Sequence, residues 1–391
     1  MDGRGALALR VDAGLLDDLR RYGRFDSAGC YQCGSCTVSC ELAAGLVSIP
    51  RKVIRYGLLG LRAPLLGSLD PWICHDCGDC SQICPREAEP RISMMTARRF
   101  LAAQYDWTGL ASRVLRSRAW YLGSLGFVAV LTLLLIVLYH VLYKGMPFGD
   151  FSTTPYGLGH MFPTMTYYTL VVTLVPIALL LSHAARMWRL ATRGGGRRER
   201  IPLSTYVAVA WTYFLHTAVV PLMRKCPEHS RWKWHWMLGL GVTIKMAILV
   251  FALHWFQTDE IYALYHPQRW LGYLATALVV LGAGQMILCR IRKQKETCKT
   301  AELEDVMFPI LLVLTAASGI AVHVLRYAGL ELACHYTYAL HVVIATPMLL
   351  VEIPFGKSSH MIYRPLALYL QAVGDRAERR ALAWKGLGHA A

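Results

Sequence analysis

Six apolar stretches set the limits on what this chain can fold into. They run at about 119–143, 164–187, 234–256, 270–290, 306–326 and 333–356. Each comes near or above the roughly 20 residues a helix needs to cross a bilayer. Lipid offers the backbone no hydrogen-bond partner, so segments of this length and pattern are expected to be helices. Hydrophobic residues make up 55% of the 391 and charged residues 17%, against about 25% charged in soluble domains. That balance argues against a disordered tail and against an ordinary soluble enzyme. Trp120, Trp188, Trp255 and Trp270 stand at stretch ends, where interfacial aromatics belong.

A seventh candidate, 203–223, is settled by charge. With six spans and the N-terminus inside, the inner connections hold the basic groups Arg186–Arg200, Arg224–Lys233 and Arg290–Lys299. The outer loops then keep only Lys144, Arg269 and Arg326. Counting 203–223 as a span would move Arg290–Lys299 outside, against the positive-inside bias. The segment is therefore read as an amphipathic helix on the inner surface, with both termini cytoplasmic. The first thirty residues lack an apolar signal core, and Arg20-Arg21 leads into Tyr22-Gly23-Arg24. The expected location is the inner membrane, with the N-terminal part in the cytoplasm. The net charge of +16 lies mainly in the inner-face loops, and no aromatic-studded basic groove accompanies it, which sets nucleic acid aside.

Residues up to about 115 form the polar part. Val11, Leu15, Leu16 and Leu19 have helical spacing, and Pro50-Arg51-Lys52 is placed to open a second helix through Leu59. Of twelve cysteines, eight fall between Cys30 and Cys84. Cys30, Cys33, Cys36 and Cys40 have the spacing C-x2-C-x2-C-x3-C, and Cys74, Cys77, Cys80 and Cys84 repeat it. This is the bacterial ferredoxin run for two [4Fe–4S] clusters, in which the fourth cysteine ligates the other cluster. By that rule Cys30, Cys33, Cys36 and Cys84 hold one cluster, and Cys74, Cys77, Cys80 and Cys40 the second. Structural zinc would use paired C-x2-C elements and leave a third cysteine surplus. Gly34 and Gly78 allow close backbone approach. Glu41 follows the first run where proline is usual, and its carboxylate is expected to lower one cluster's potential. Cys226, Cys289, Cys298 and Cys334 are expected to be isolated thiols without a metal role.

Histidines recur near the span ends, and an ionisable residue inside a membrane is a functional candidate. His235 and His254 are 19 residues apart, as are His341 and His360. At 1.5 Å per residue that is about 28 Å, near the hydrocarbon thickness. If the third and sixth spans are neighbours, His235 meets His360 at the inner face and His254 meets His341 at the outer face. Two bis-imidazole sites of this kind suit haem. His140, His160 and His323 compete with His254, while His183 and His216 compete on the inner side. Pro354 is placed to break the sixth span before His360. Lys245, near the middle of the third span, faces a haem propionate, a quinone carbonyl or only a wet cavity in this reading. Glu331 and Glu352 are candidate proton carriers.

The phrases Cys30-Tyr-Gln-Cys33-Gly with Ile49-Pro-Arg-Lys52, and Cys74-His-Asp-Cys77 through Cys84-Pro85, resemble a known family. So do Arg224-Lys-Cys226 through His235 and Pro354-Phe-Gly-Lys-Ser-Ser-His360-Met-Ile-Tyr-Arg364. The chain resembles the C-type and E-type subunits of heterodisulfide reductase fused together, as in the C-type subunit of the quinone-interacting membrane-bound oxidoreductase (Qmo) family. Its membrane half is similar to the nitrate reductase gamma subunit, in which histidines on two helices carry two haems b. His235, His341 and His360 fit that pattern, and Lys245 stands where the fourth histidine is expected.

The resemblance implies a mostly α fold: a ferredoxin-type domain at 1–115, a six-helix transmembrane cytochrome b bundle at 116–365 and a cytoplasmic tail at 366–391. It implies electron transfer between menaquinone or another quinone and cytoplasmic flavin and iron–sulfur subunits. Those subunits would be related to the A-type subunit of heterodisulfide reductase (the QmoA and QmoB type). Adenylylsulfate reductase would be the further partner, in sulfur metabolism. The alternatives are the membrane arm of another heterodisulfide reductase-like oxidoreductase and a passive membrane anchor.

Overall fold

A computed structural model describes residues 10–43, 47–143, 162–194, 201–225, 229–256, 260–293, 296–299 and 302–387. Among them the regular elements are helices, without a strand. They gather into two compact units. One holds the described residues up to Arg116 with those of Leu181–Glu228 and from His360 on, and the other those of Ser117–Leu180 and His229–Ser359.

The first unit begins with short helices: α1 (Leu15–Arg20), α2 (Ser35–Val38), α3 (Arg51–Leu58), α4 (Arg62–Leu66), α5 (Asp70–Ile73) and α6 (Asp79–Gln82). The longer α7 (Pro90–Tyr105) and the short α8 (Leu110–Arg116) follow. The expected helix at Val11–Leu19 starts later, at Leu15, and the one from Pro50 is α3. Helices this short are marginal alone in water, so packing must hold them. Leu15 and Leu19 of α1, Val53 and Ile54 of α3, and Phe100 and Leu101 of α7 are fully buried together. Arg62 ties the layer from outside, donating to Asp12 at 2.5 Å and to Asp18.

Within this unit, α11 (Leu203–Ala208), α12 (Ala210–Ala218) and α20 (His360–Leu387) pack together, and α20 also reaches α5. An aromatic knot fixes that seam. Tyr363 lies edge-on to Trp72 at 5.0 Å and to Tyr105 at 5.4 Å between centroids. The Trp72 indole donates to the Tyr105 hydroxyl at 3.3 Å. The stretch 203–223 is broken at Val209 and ends in a 3₁₀ turn, so no continuous spanning helix forms there.

Six helices are long and apolar enough to cross a membrane: Arg118–Leu142, Met165–Thr192, Ser230–Phe251, Pro267–Arg292, Leu303–Tyr327 and Glu331–Phe355. They fall on the six expected stretches. Leucines and valines of the first, among them Leu122, Val130 and Leu134, point outward and are exposed. Apolar side chains turned outward over so long a surface mark a protein whose solvent is lipid.

The second unit packs α13 (His229–Phe251) along α15 (Pro267–Arg292), α15 along α17 (Leu303–Tyr327), α17 along α18 (Glu331–Pro347), and α18 along α9 (Arg118–Leu138). The first part of α10 (Phe162–Gly194) joins them through Tyr168, whose hydroxyl lies 2.7 Å from that of Thr346. A Cβ at Gly282 would stand 2.7 Å from that of Leu238, so glycine sets how closely α15 approaches α13. The sixth span passes through a π-helical turn, Met348–Glu352, and a last turn, α19 (Ile353–Phe355). The helix does stop after Pro354, and α20 opens at His360. The expectation of isolated thiols is corrected in one place: Cys289 and Cys298 are joined as a disulfide. Cys334 is free and buried, and Cys226 lies outside the described residues.

Candidate functional site

The two cysteine runs fold as copies of one device. In each, a residue with positive φ precedes the second cysteine (Gln32 at 56°, Asp76 at 58°), and a left-handed glycine follows it (Gly34 at 91°, Gly78 at 100°). The glycine opens a one-turn helix, α2 or α6, that carries the third cysteine. Only glycine adopts that φ without a Cβ clash, which is why the motif needs it. α2 and α6 pack against each other.

That packing decides which thiols are neighbours. Those bearing electrostatically on Cys36 are Cys30, Cys33 and Cys84. Those bearing on Cys40 are Cys74 and Cys77. Cys80 feels Cys74, Cys77 and Cys40, and Cys36 as well. The last cysteine of each run thus lies with the other run. Cys40, Cys74, Cys77 and Cys80 line one cavity, beside Ile49 and Pro50. Burial raises the Cys36 and Cys74 thiols and pushes Cys40 up to about 11. Hydrogen bonds with Ser35 lower Cys33, the most exposed of the eight. Among the described residues no three donor side chains converge on a single ion. Thiols spread around a cavity suit a cubane, whose ligands attach to different iron atoms.

Polar contacts to the sulfurs are already in place. Gln32 donates to Cys30, the Asp76 amide to Cys74 and the Ala88 amide to Cys84, each at 3.4 Å. Sequence reasoning missed the cations around the second run. Arg91 pairs with Asp76 at 2.7 Å. Arg98 donates to Pro71 O at 2.5 Å and to Cys74 O. Arg364 of α20 contacts His75 and donates to Ile73 O at 3.4 Å. Arginine at such spots carries no spacing signature; Arg364 ended a phrase of the family resemblance, but nothing in the sequence tied any of the three to the cysteines. Glu41 is exposed at the rim of the second cavity.

The second unit holds a partly open cavity of about 370 Å³ lined from α10, α13, α15, α17 and α18. Its polar lining includes Lys245, Arg269, Tyr273, Thr276, His323 and His341. The Lys245 amine donates to Thr276 at 2.8 Å. His341 Nδ1 lies 3.0 Å from the Ser318 hydroxyl, which leaves Nε2 for another partner. His323 Nε2 is 2.5 Å from the Tyr273 hydroxyl. The rest of the wall is mostly apolar, with Tyr168, Tyr338, Gln268 and further threonines among it. A largely apolar chamber with a few convergent polar groups is the usual form of a cofactor site.

The structure therefore brings Lys245, His323 and His341 to one chamber. His254, on the single turn α14 (Leu253–Phe256), is exposed and does not line it. His140 is buried and bonds the Ile136 carbonyl of its own helix. His160 lies outside the described residues. His235 is on α13 of the second unit, and His360 opens α20 of the first; both are half-buried. His183 is fully buried 3.2 Å from Asp106. Half-buried His216 on α12 is lowered by burial and by nearby Arg364.

The N-terminal region is similar to known iron–sulfur proteins. The signature of the 4Fe-4S dicluster domain matches residues 29–89. A protein of Archaeoglobus profundus, itself named for its likeness to the C-type subunit of heterodisulfide reductase, is 42% identical over 89 residues, 22% of this chain and 47% of that protein. A C-type iron-sulfur subunit of the CoB–CoM heterodisulfide reductase of Methanocaldococcus jannaschii is 42% identical over 84 residues, 22% of this chain and 44% of its own. The chain spans about half the length of the curated relatives it matches. No solved structure matches it significantly. Its N-terminal region resembles the C-type 4Fe-4S proteins of heterodisulfide reductases.

Proposed function

We propose that this chain is a membrane electron-transfer protein, linking a lipid-soluble quinone to cytoplasmic redox subunits through two [4Fe–4S] clusters and haem b. The observation that carries the reading is the interleaving of the two runs. Cys84 lies with Cys30, Cys33 and Cys36, and Cys40 with Cys74, Cys77 and Cys80. These eight are assigned as the cluster ligands. The chain supplies position, insulation and field; bound clusters and haem supply one-electron chemistry.

In the second unit, the chamber around Lys245, His323 and His341 is assigned to haem or to the quinone ring. His341 is an axial-ligand candidate, oriented by Ser318. Lys245 is desolvated beside Thr276 and suits a carboxylate or carbonyl oxygen. For a second haem, His235 and His360 stay assigned from their spacing in the sequence. Partners are proposed from the relatives, which are subunits of heterodisulfide reductase complexes. From the family resemblance of the sequence, they are taken to be flavin and iron–sulfur subunits related to the A-type subunit of heterodisulfide reductase, with adenylylsulfate reductase beyond them. Both termini are placed in the cytoplasm, and 203–223 on the inner surface.

The test is cofactor content of the full chain in detergent. About eight iron atoms per chain with haem b in the pyridine haemochrome assay is expected. Intact clusters without haem would reduce the membrane part to an anchor. A reduced menaquinone analogue should then reduce the clusters in anaerobic protein, and failure to do so with haem present would remove the quinone.

A further inference from the structure

Glu352 lies in the π-helical turn that interrupts the sixth span, and its side chain is sealed from solvent (0% exposed). A carboxyl group in a membrane segment is rare, faces the protein interior and marks function by default. Tyr121 of α9 donates its hydroxyl to Oε1. Oε2 has no hydrogen-bond partner among the described residues. Ser358 reaches only the backbone carbonyl of Glu352. Gly356 provides the space, since a Cβ there would overlap Oε2.

Among the described residues, the charged groups bearing on this carboxyl are Glu304 and Asp305 at the start of α17, and Lys357. Two of the three are acids. The cation among them, Lys357, is bonded to Asp305 at the partly exposed rim. A sealed carboxylate with one neutral donor, one open oxygen and two acids nearby is costly as an anion. As the neutral acid it presents a proton on Oε2 while Oε1 stays fixed by Tyr121. Glu304 is buried, and Asp305 is bonded to the partly exposed Lys357 at this end of the second unit.

We propose that Glu352 is a proton-holding site of the second unit, exchanging its proton with water through Glu304 and Asp305, with Tyr121 positioning the carboxyl. The step is an acid–base one: the carboxylate takes a proton from water and returns it, with no electron and no co-reactant. It goes beyond the electron-carrying reading and does not depend on haem.

The experiment is infrared difference spectroscopy of the full chain in lipid nanodiscs, stepped in pH in H2O and in D2O. A deuterium-sensitive carbonyl stretch of a protonated carboxylic acid is expected. It should vanish in Glu352→Gln and shift in frequency in Glu352→Asp and Tyr121→Phe. An unchanged carboxylic-acid region in Glu352→Gln would overturn the proposal. If Glu352→Gln fails to assemble, judged by lost cluster absorbance, the other two variants decide, and an unshifted band in both rejects it. Haem content is read separately, so failure of this site and failure of the haem assignment are distinct results.

Discussion

The guanidinium of Arg91 lies against the carboxylate of Asp76, Nε 2.7 Å from Oδ1, with both side chains largely shielded from water. Asp76 sits between Cys74 and Cys77 at positive φ, so the pair fixes the tightest point of the second cysteine run. Removing one partner of a shielded ion pair leaves the other charge uncompensated, at a cost of about 3 kcal/mol. Arg91→Ala is expected to destabilise the first unit by that order. It should also lower the potential of the cluster next to Asp76 and leave the other unchanged. Redox titration followed by electron paramagnetic resonance reads both clusters, and a uniform shift of the two would reject a local effect.

The interleaved runs make a prediction about cysteine variants. If the last cysteine of each run serves the other cluster, Cys84→Ser should alter the same signal as Cys36→Ser. Cys40→Ser should alter the signal that Cys80→Ser alters. Iron content should drop by up to half in each. Signals grouping by run, with Cys84→Ser matching Cys80→Ser, would show that each run holds its own cluster.

How far the sequence spoke depended on whether a local rule set the structure. Lipid imposes length and apolarity on every spanning helix, so six spans were legible from hydropathy, and Pro354 marked the end of the last. The cysteine runs were legible because cluster chemistry needs that spacing. Contacts between distant segments obey no such rule. Arg364 meets His75 across 289 residues and Tyr121 meets Glu352 across 231. Hydropathy gives each helix a lipid-compatible surface without saying which face turns inward. That is why the sequence placed Glu352 only among possible proton carriers and paired His254 with His341 by helix rise alone.

Asp106 predicts a pH dependence of stability. Burial opposes its ionisation, but His183, the Thr108 hydroxyl and the amides of Thr108 and Ala111 together hold its carboxyl down at about 2. A carboxyl depressed in the folded state stabilises at pH above its unfolded value, about 4. That contribution fades as pH falls from about 4 towards 2 and is of order 2 kcal/mol. Thermal unfolding of the native chain should therefore lose ground in that acid window. Asp106→Asn should be less stable at neutral pH and lose less on acidification. Parallel pH curves for the two proteins would exclude the carboxylate as the cause.

The 370 Å³ chamber tests which histidines serve the second unit. His341 and His323 line it, while His254 is exposed beyond it. With a haem in the chamber, His341→Ala should remove one haem b per chain in the haemochrome assay, and the clusters should remain. The sequence spacing points to His254 as the second ligand and the chamber points to His323. His323→Ala is expected to lose the same haem and His254→Ala to retain it, since His254 is exposed and does not line the chamber. Lys245→Met should keep the haem while weakening any interaction that needs the buried amine, measured as a raised KM for a quinol analogue. Loss of haem in His254→Ala with His323→Ala unaffected would restore the pairing drawn from helix rise.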